Sequence, residues 1–221
     1  MGTRVRHISA TLCAACIATG IAGAARGHPH AFIDGGVDFV MDADGRLQEL
    51  AVTWHYDPFE TLYTLSAFEI PLNAEGGLDE ADRLELVRRL GEWPEDFDGS
   101  AHLSVDDVAV SLQWPEGVDA HLVDGRILMT FTRSLETPLE VRGRDVEVGF
   151  YESTYFFDFT VTLSPEVRGA DGQCAARVIP FELDQQLARF QTMLLALDRE
   201  ETPETENVGA LFADWIVLSC E

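Results

Sequence analysis

The stretch AFIDGGVDFVMDADGRLQELAVTWHYD, residues 31–57, decides how the chain folds. In its first half Ile33, Val37, Phe39 and Met41 are apolar at odd positions, while Asp34, Asp38 and Asp42 fall at even ones. Alternation of this kind marks a half-buried strand. Asp44-Gly45 supplies the residues that tight hairpin turns use, and Leu50, Val52, Trp54 and Tyr56 then resume the alternation. Centring the turn on Asp44-Gly45 sets Val37 opposite Val52, Asp34 opposite His55 and Phe32 opposite Asp57. Turn and hydrophobic pattern agree on that register, and a slip of one residue would turn the apolar face to solvent. The register gathers His30, Asp34, His55 and Asp57 on one face, at the open end of the hairpin.

Outward from the hairpin the pattern changes period. Residues 58–92 read as a helical insertion. Pro58 opens a helix with Phe59, Leu62 and Leu65 along one stripe, and a second helix from Asp79 to Leu90 carries Leu84, Val87 and Leu90. From about 100 to 164 short alternating runs return: 102–105, 108–114, 121–123, 127–133, 139–142 and 146–150. Turns at Asp106-Asp107, Pro115-Glu116-Gly117, Asp124-Gly125 and Arg142-Gly143 separate them. The aromatic run FYESTYFFDF, residues 150–159, reads as a further strand with Glu152, Thr154, Phe156 and Asp158 on one face. Near 183–198 lies an amphipathic helix with Leu183, Leu187, Phe190, Leu194 and Leu197 inward, and residues 215–220 form a last strand. These runs predict a mainly β (α+β) fold. It is an antiparallel, sandwich-like single domain over residues 28–221, with helices as insertions.

The first 27 residues differ in kind. Arg4 and Arg6 precede an uncharged, apolar, small-residue stretch from Ile8 to Ala25, and Ala22-Gly23-Ala24 and Ala25-Arg26-Gly27 offer cleavage sites. That is the layout of an export signal, which predicts a periplasmic protein with no membrane insertion after cleavage. Removing the signal leaves two cysteines, Cys174 and Cys220. In an oxidising compartment they either form one disulfide or stay as two buried thiols. The net charge of −24, with 39 acidic residues against 15 basic ones, disfavours nucleic acid and anionic lipid as partners, and the expectation is no nucleic-acid binding.

Nucleophile, phosphate-loop and dinucleotide motifs are missing from the sequence, so the expectation is a binding protein and not an enzyme. Paired carboxylates carry little information in so acidic a chain. The six histidines carry more. His28 and His30 flank a rigid Pro29, so in an extended chain both rings project to one side. With His55, Asp57 and Asp158 they make an imidazole–carboxylate set suited to a divalent transition metal such as Ni, Co or Zn. Pro29 has no amide hydrogen, which rules out the amino-terminal chelate that needs a deprotonated second amide. Side-chain ligation remains, as does an amine–imidazole chelate if His28 is the first mature residue. The alternative for His28 and His30 is an exposed terminus, and for His55 a polar-face strand position. His102 and His121 read as structural.

The segments HPHAFID, TWHYDPFE, FYESTYFFDF and GALFADWIVLSC together resemble the exported family catalogued as domain of unknown function 1007, over nearly the whole mature chain. The resemblance implies a periplasmic component of an uncharacterised ABC-type transport system, whose genes often neighbour nickel/cobalt exporters. It implies an integral-membrane metal transporter as partner. The positions that match the family's motifs are His28, His30, Trp54, Asp57, Tyr155 and Asp158, with Cys174 and Cys220 as the disulfide pair. Glu152 stands where the family pattern leads one to expect Asp. A metal-free protein–protein module docking through the aromatic run is the competing expectation.

Overall fold

The computed structural model describes residues 29–94, 97, 99–169, 173–182, 185–195 and 206–221. The hairpin forms as β1 (Ala31–Met41) and β2 (Leu47–Tyr56). Val37 faces Val52, Asp34 faces His55, and the Asp57 amide donates to the Phe32 carbonyl, as the sequence register predicts. The turn is one residue longer than a two-residue hairpin loop. Asp42 N–H donates to the Arg46 carbonyl across Ala43, Asp44 and Gly45, and Gly45 takes a left-handed φ of 77°. A bulge beyond Val40 absorbs the extra residue, so the pairing nearer the open end keeps its register.

The chain continues as α1 (Pro58–Ala67), α2 (Glu80–Leu90), β3 (Ala101–Val105), β4 (Val108–Ala109), β5 (Glu116–Val123), β6 (Arg126–Leu139), β7 (Val146–Phe150), β8 (Phe157–Val161), β9 (Val167–Arg168), β10 (Cys174–Ile179), α3 (Gln185–Leu194), a 3-10 turn (Val208–Phe212) and β11 (Asp214–Cys220). One sheet runs β5-β6-β2-β1-β8, with β9 following β8 along the same edge of β1. The other runs β10-β11-β7-β3-β4. Their apolar faces share one core, with Val37, Phe39, Val52, Trp54, Met129 and Phe131 from the first sheet and Leu103, Val148, Phe150, Ile216 and Leu218 from the second. The fold is mainly β and mostly antiparallel, as expected. At Gly35 the sheet admits no side chain: a Cβ there would lie 2.0 Å from the Thr53 carbonyl oxygen.

Several elements depart from the sequence reading. β8 and β9 pair with β1 in parallel, not antiparallel. The aromatic run is strand at Phe150, the end of β7, and again only from Phe157 onward. Before that, Glu152 folds it into a turn, its carboxylate accepting from Thr154 N (2.7 Å), Thr154 Oγ1 (2.9 Å) and Phe156 N (2.9 Å). That turn carries the chain from the second sheet to the first, which is why β8 enters alongside β1 in the same direction. In α1 the expected stripe holds at Leu65, which is buried, but fails at Phe59 and Leu62, which are exposed, and Thr61 and Thr64 are buried instead. Thr61 Oγ1 accepts from the Ile127 amide at 3.0 Å, and that contact orients the helix against β6. In α2 Val87 and Leu90 pack against the core as expected, but the fully buried residue is Leu86, and Leu84 faces out. Pro115-Glu116-Gly117, read as a turn, begins β5. The run at 139–142 is the end of β6 and the start of a turn, while β10 had no counterpart in the sequence reading.

α3 matches its prediction over the residues described. Leu187, Phe190 and Leu194 join Tyr155, Phe181, Val208 and Phe212 in a second apolar cluster. Leu183, Leu197 and the export-signal residues 1–27 lie outside the described residues. Cys174 and Cys220 are disulfide-bonded across the β10–β11 pair, where they are direct register partners.

Candidate functional site

The parallel joint between β1 and β8 brings the predicted site residues closest together. His30 N–H donates to the Phe156 carbonyl at 2.9 Å, and the two rings lie 5.1 Å apart. Two residues on, past the inward pair Ala31 and Phe157, Phe32 is the register partner of Asp158. Phe157 and Phe159 turn inward onto Trp54, so Asp158 takes the outer face of the sheet, the face that carries Phe32 and Asp34. His30 and Asp158 therefore stand on neighbouring strands, one diagonal step apart.

Asp158 sits in an unfavourable environment for a charge. Burial, and then the nearby carboxylate of Asp214, push its carboxyl up to about 6. Burial and the charge of Asp158 likewise raise the Tyr155 phenol. Asp214 is itself buried and fully used: Oδ2 accepts from Val161 N and Oδ1 from Phe181 N, both at 2.7 Å. It closes the free edge of β8 and ties that edge to the segment before α3. Sequence reasoning missed Asp214, although a lone acid in the apolar run LFADWIVL was a signal for a buried, bonded carboxylate.

The remaining predicted residues separate. Asp57 is the N-cap of α1: Oδ1 accepts from Phe59 N (2.7 Å) and Glu60 N (3.0 Å), and Oδ2 from Phe32 N (3.1 Å). Its oxygens are engaged in shaping the hairpin's open end. His55 does face Asp34, but Asp34 is held by Arg126 at 2.8 Å, and the same guanidinium donates to the His55 carbonyl. His55 Nε2 is buried with no hydrogen-bond partner among the described residues. Its row of the sheet is four residues from His30, roughly 13 Å along the strand, too far for a shared coordination sphere. His28 lies outside the described residues. Among the described residues no three His, Cys, Asp or Glu side chains are grouped as a metal site. His102 stacks on Tyr151 with ring centroids 3.8 Å apart, and His121 meets Asp119 on the surface at 3.0 Å.

Around the corner, between the two sheets, opens an aromatic cleft of about 480 Å³. Trp54, Phe157 and Phe159 line it from the first sheet, and Glu152, Thr154 and Phe156 from the folded turn. Trp54 is fixed there by its indole N–H, which donates to Ser100 Oγ at 3.0 Å. Sequence reading singled out Trp54 and the aromatic run but not the cleft, whose other wall comes from Pro94, Phe97 and Ser100, the last of them 46 residues downstream of Trp54.

Fold and site together define a mainly β, two-sheet α+β protein with a histidine–carboxylate edge and an aromatic mouth. The chain belongs to the family described as a protein of unknown function, DUF1007, whose model matches residues 13–220. A search among curated proteins finds no match.

Proposed function

We propose that this is an exported, periplasmic accessory protein that takes up a divalent transition metal (Ni, Co or Zn) and delivers it to an integral-membrane transporter. It works as a binding protein and not as an enzyme. The ligand set contracts to the His28-Pro29-His30 entrance and Asp158, with Asp57 assigned to capping and His55 to a separate row.

The observation that supports this reading is the β1–β8 register. It holds His30 against Phe156 and sets Asp158 one diagonal step away on the same edge. An imidazole and a carboxylate are donors of the right kind for a borderline divalent ion. His28 would complete the set. A carboxyl kept in a site that disfavours its charge gains from a cation beside it, so metal binding and ionisation of Asp158 are coupled. Metal content measured on protein purified from the periplasm tests the reading. Stoichiometric Ni, Co or Zn in the wild type, lost in His30→Ala, supports it; metal-free wild-type protein opposes it.

A second reading, a docking module for a membrane transport system, draws on a different feature. Phe59 and Leu62 on α1 are 72% and 61% exposed, and Phe32 and Tyr63 are exposed as well. An apolar patch at the same end of the hairpin suits contact with a partner protein.

A further inference from the structure

We propose that the aromatic cleft is a binding site for a small quaternary-ammonium cation; it adjoins the metal entrance through Phe156, whose ring lines the cleft and meets His30. Its volume of about 480 Å³ falls within the range of roughly 300–1,000 Å³ typical of small-molecule sites. The walls are built and held. Trp93 stacks on Phe97 with centroids 4.2 Å apart and meets Trp54 edge-on. Trp54 in turn lies 6.1 Å from Phe157 and 5.1 Å from Phe159. At the mouth, Glu152 staples the turn through three hydrogen bonds. Ser100, a non-glycine residue of the lining, has a left-handed backbone with φ of 56°. Such strain is retained where a fixed geometry is needed.

The chemistry of the lining selects the ligand. Indole and phenyl faces present negative electrostatic potential to a cation. The single ionisable lining residue among those described is Glu152, an acid, and the whole chain carries −24 with no lysine. Phosphates and carboxylates are therefore repelled. A primary ammonium needs several acceptors to replace its water, whereas five of the ten lining residues are aromatic, the Glu152 carboxylate already accepts three hydrogen bonds in the turn, and Ser100 Oγ accepts from the Trp54 indole. A quaternary ammonium has no N–H to satisfy and keeps its charge, so it matches apolar walls under a negative rim.

The test is a titration of the mature protein, in the presence of EDTA, with choline or tetramethylammonium and with the neutral isostere 3,3-dimethylbutan-1-ol. Calorimetry and tryptophan fluorescence report binding, since Trp54 forms part of the wall. The proposal expects saturable binding of both cations with a fluorescence change, and binding of the alcohol at least about tenfold weaker. Phe157→Leu, which keeps an apolar side chain, should weaken the cations by about tenfold and leave the alcohol nearly unchanged. Equal affinity for the alcohol, failure of either cation to bind at millimolar concentration, or an unaffected Phe157→Leu variant would overturn it. EDTA keeps the outcome independent of the metal reading.

Discussion

Replacing Asp158 with Asn should make the metal-free protein more stable at neutral pH. The carboxyl moves from an ordinary value of 3.8 to about 6 on folding, first through burial and then through the carboxylate of Asp214. A raised pKa means that the folded state binds the proton more tightly than the unfolded chain. The stabilisation is therefore complete below the unfolded value and is lost as pH rises through about 6. Above pH 7 the ionised carboxylate costs the folded state roughly 3 kcal/mol by linkage, and about 1–2 kcal/mol after allowing for its partial contact with solvent. Asparagine keeps the shape and cannot ionise. Urea denaturation of both proteins in EDTA, followed by fluorescence at pH 4 and pH 7.5, measures the difference. The variant's advantage should widen across that interval at constant m-value. A variant no more stable than wild type at pH 7.5, or an advantage independent of pH, would refute the reasoning. A residue that lowers stability where an amide would not is the kind retained for binding.

Two further predictions concern the frame around the site. Asp57→Ala removes the carboxylate that accepts from three backbone amides, at Phe59 and Glu60 in the start of α1 and at Phe32, and should lower stability by about 1–2 kcal/mol in thermal melts. Its metal affinity should stay close to wild type, because Asp57 acts as a cap and not as a ligand. Replacing both Cys174 and Cys220 with Ala opens a 46-residue loop and should cost about 4 kcal/mol on the chain-entropy model, read as a lower urea midpoint. Reducing agent should lower the wild type to the same midpoint.

Much of the frame was legible because it is local. The hairpin register follows from alternation and a turn, both contained in 27 residues, and a bulge absorbed the one error in turn length. Asp57-Pro58 carried a helix-start signal as well, an N-cap followed by proline at the first position, and that use of the carboxylate displaces the metal role assigned from sequence. What was not legible is non-local. The parallel partner of β1 depends on a turn folded by the side chain of Glu152, which period-two reading of the aromatic run treats as strand. Arg126 reaches Asp34 from 92 residues away and takes the carboxylate that the register offers to His55. Phe59 and Leu62 have helical spacing yet face out, because α1 packs through Thr61, Thr64 and Leu65, with Thr61 Oγ1 accepting from the distant Ile127 amide.

The central proposal is that His30 and Asp158, with His28 as a further ligand, bind a transition metal. Calorimetric titration of the mature protein with Ni²⁺ and Zn²⁺ tests it most directly, comparing wild type, the His28→Ala/His30→Ala double variant and His55→Ala. Loss of ligands should exceed the 10–100-fold effect of removing their supporting groups, so the double variant should lose at least about 100-fold in affinity. His55→Ala should bind as wild type does. Unchanged binding in the double variant, or an equal loss in His55→Ala, would contradict the account.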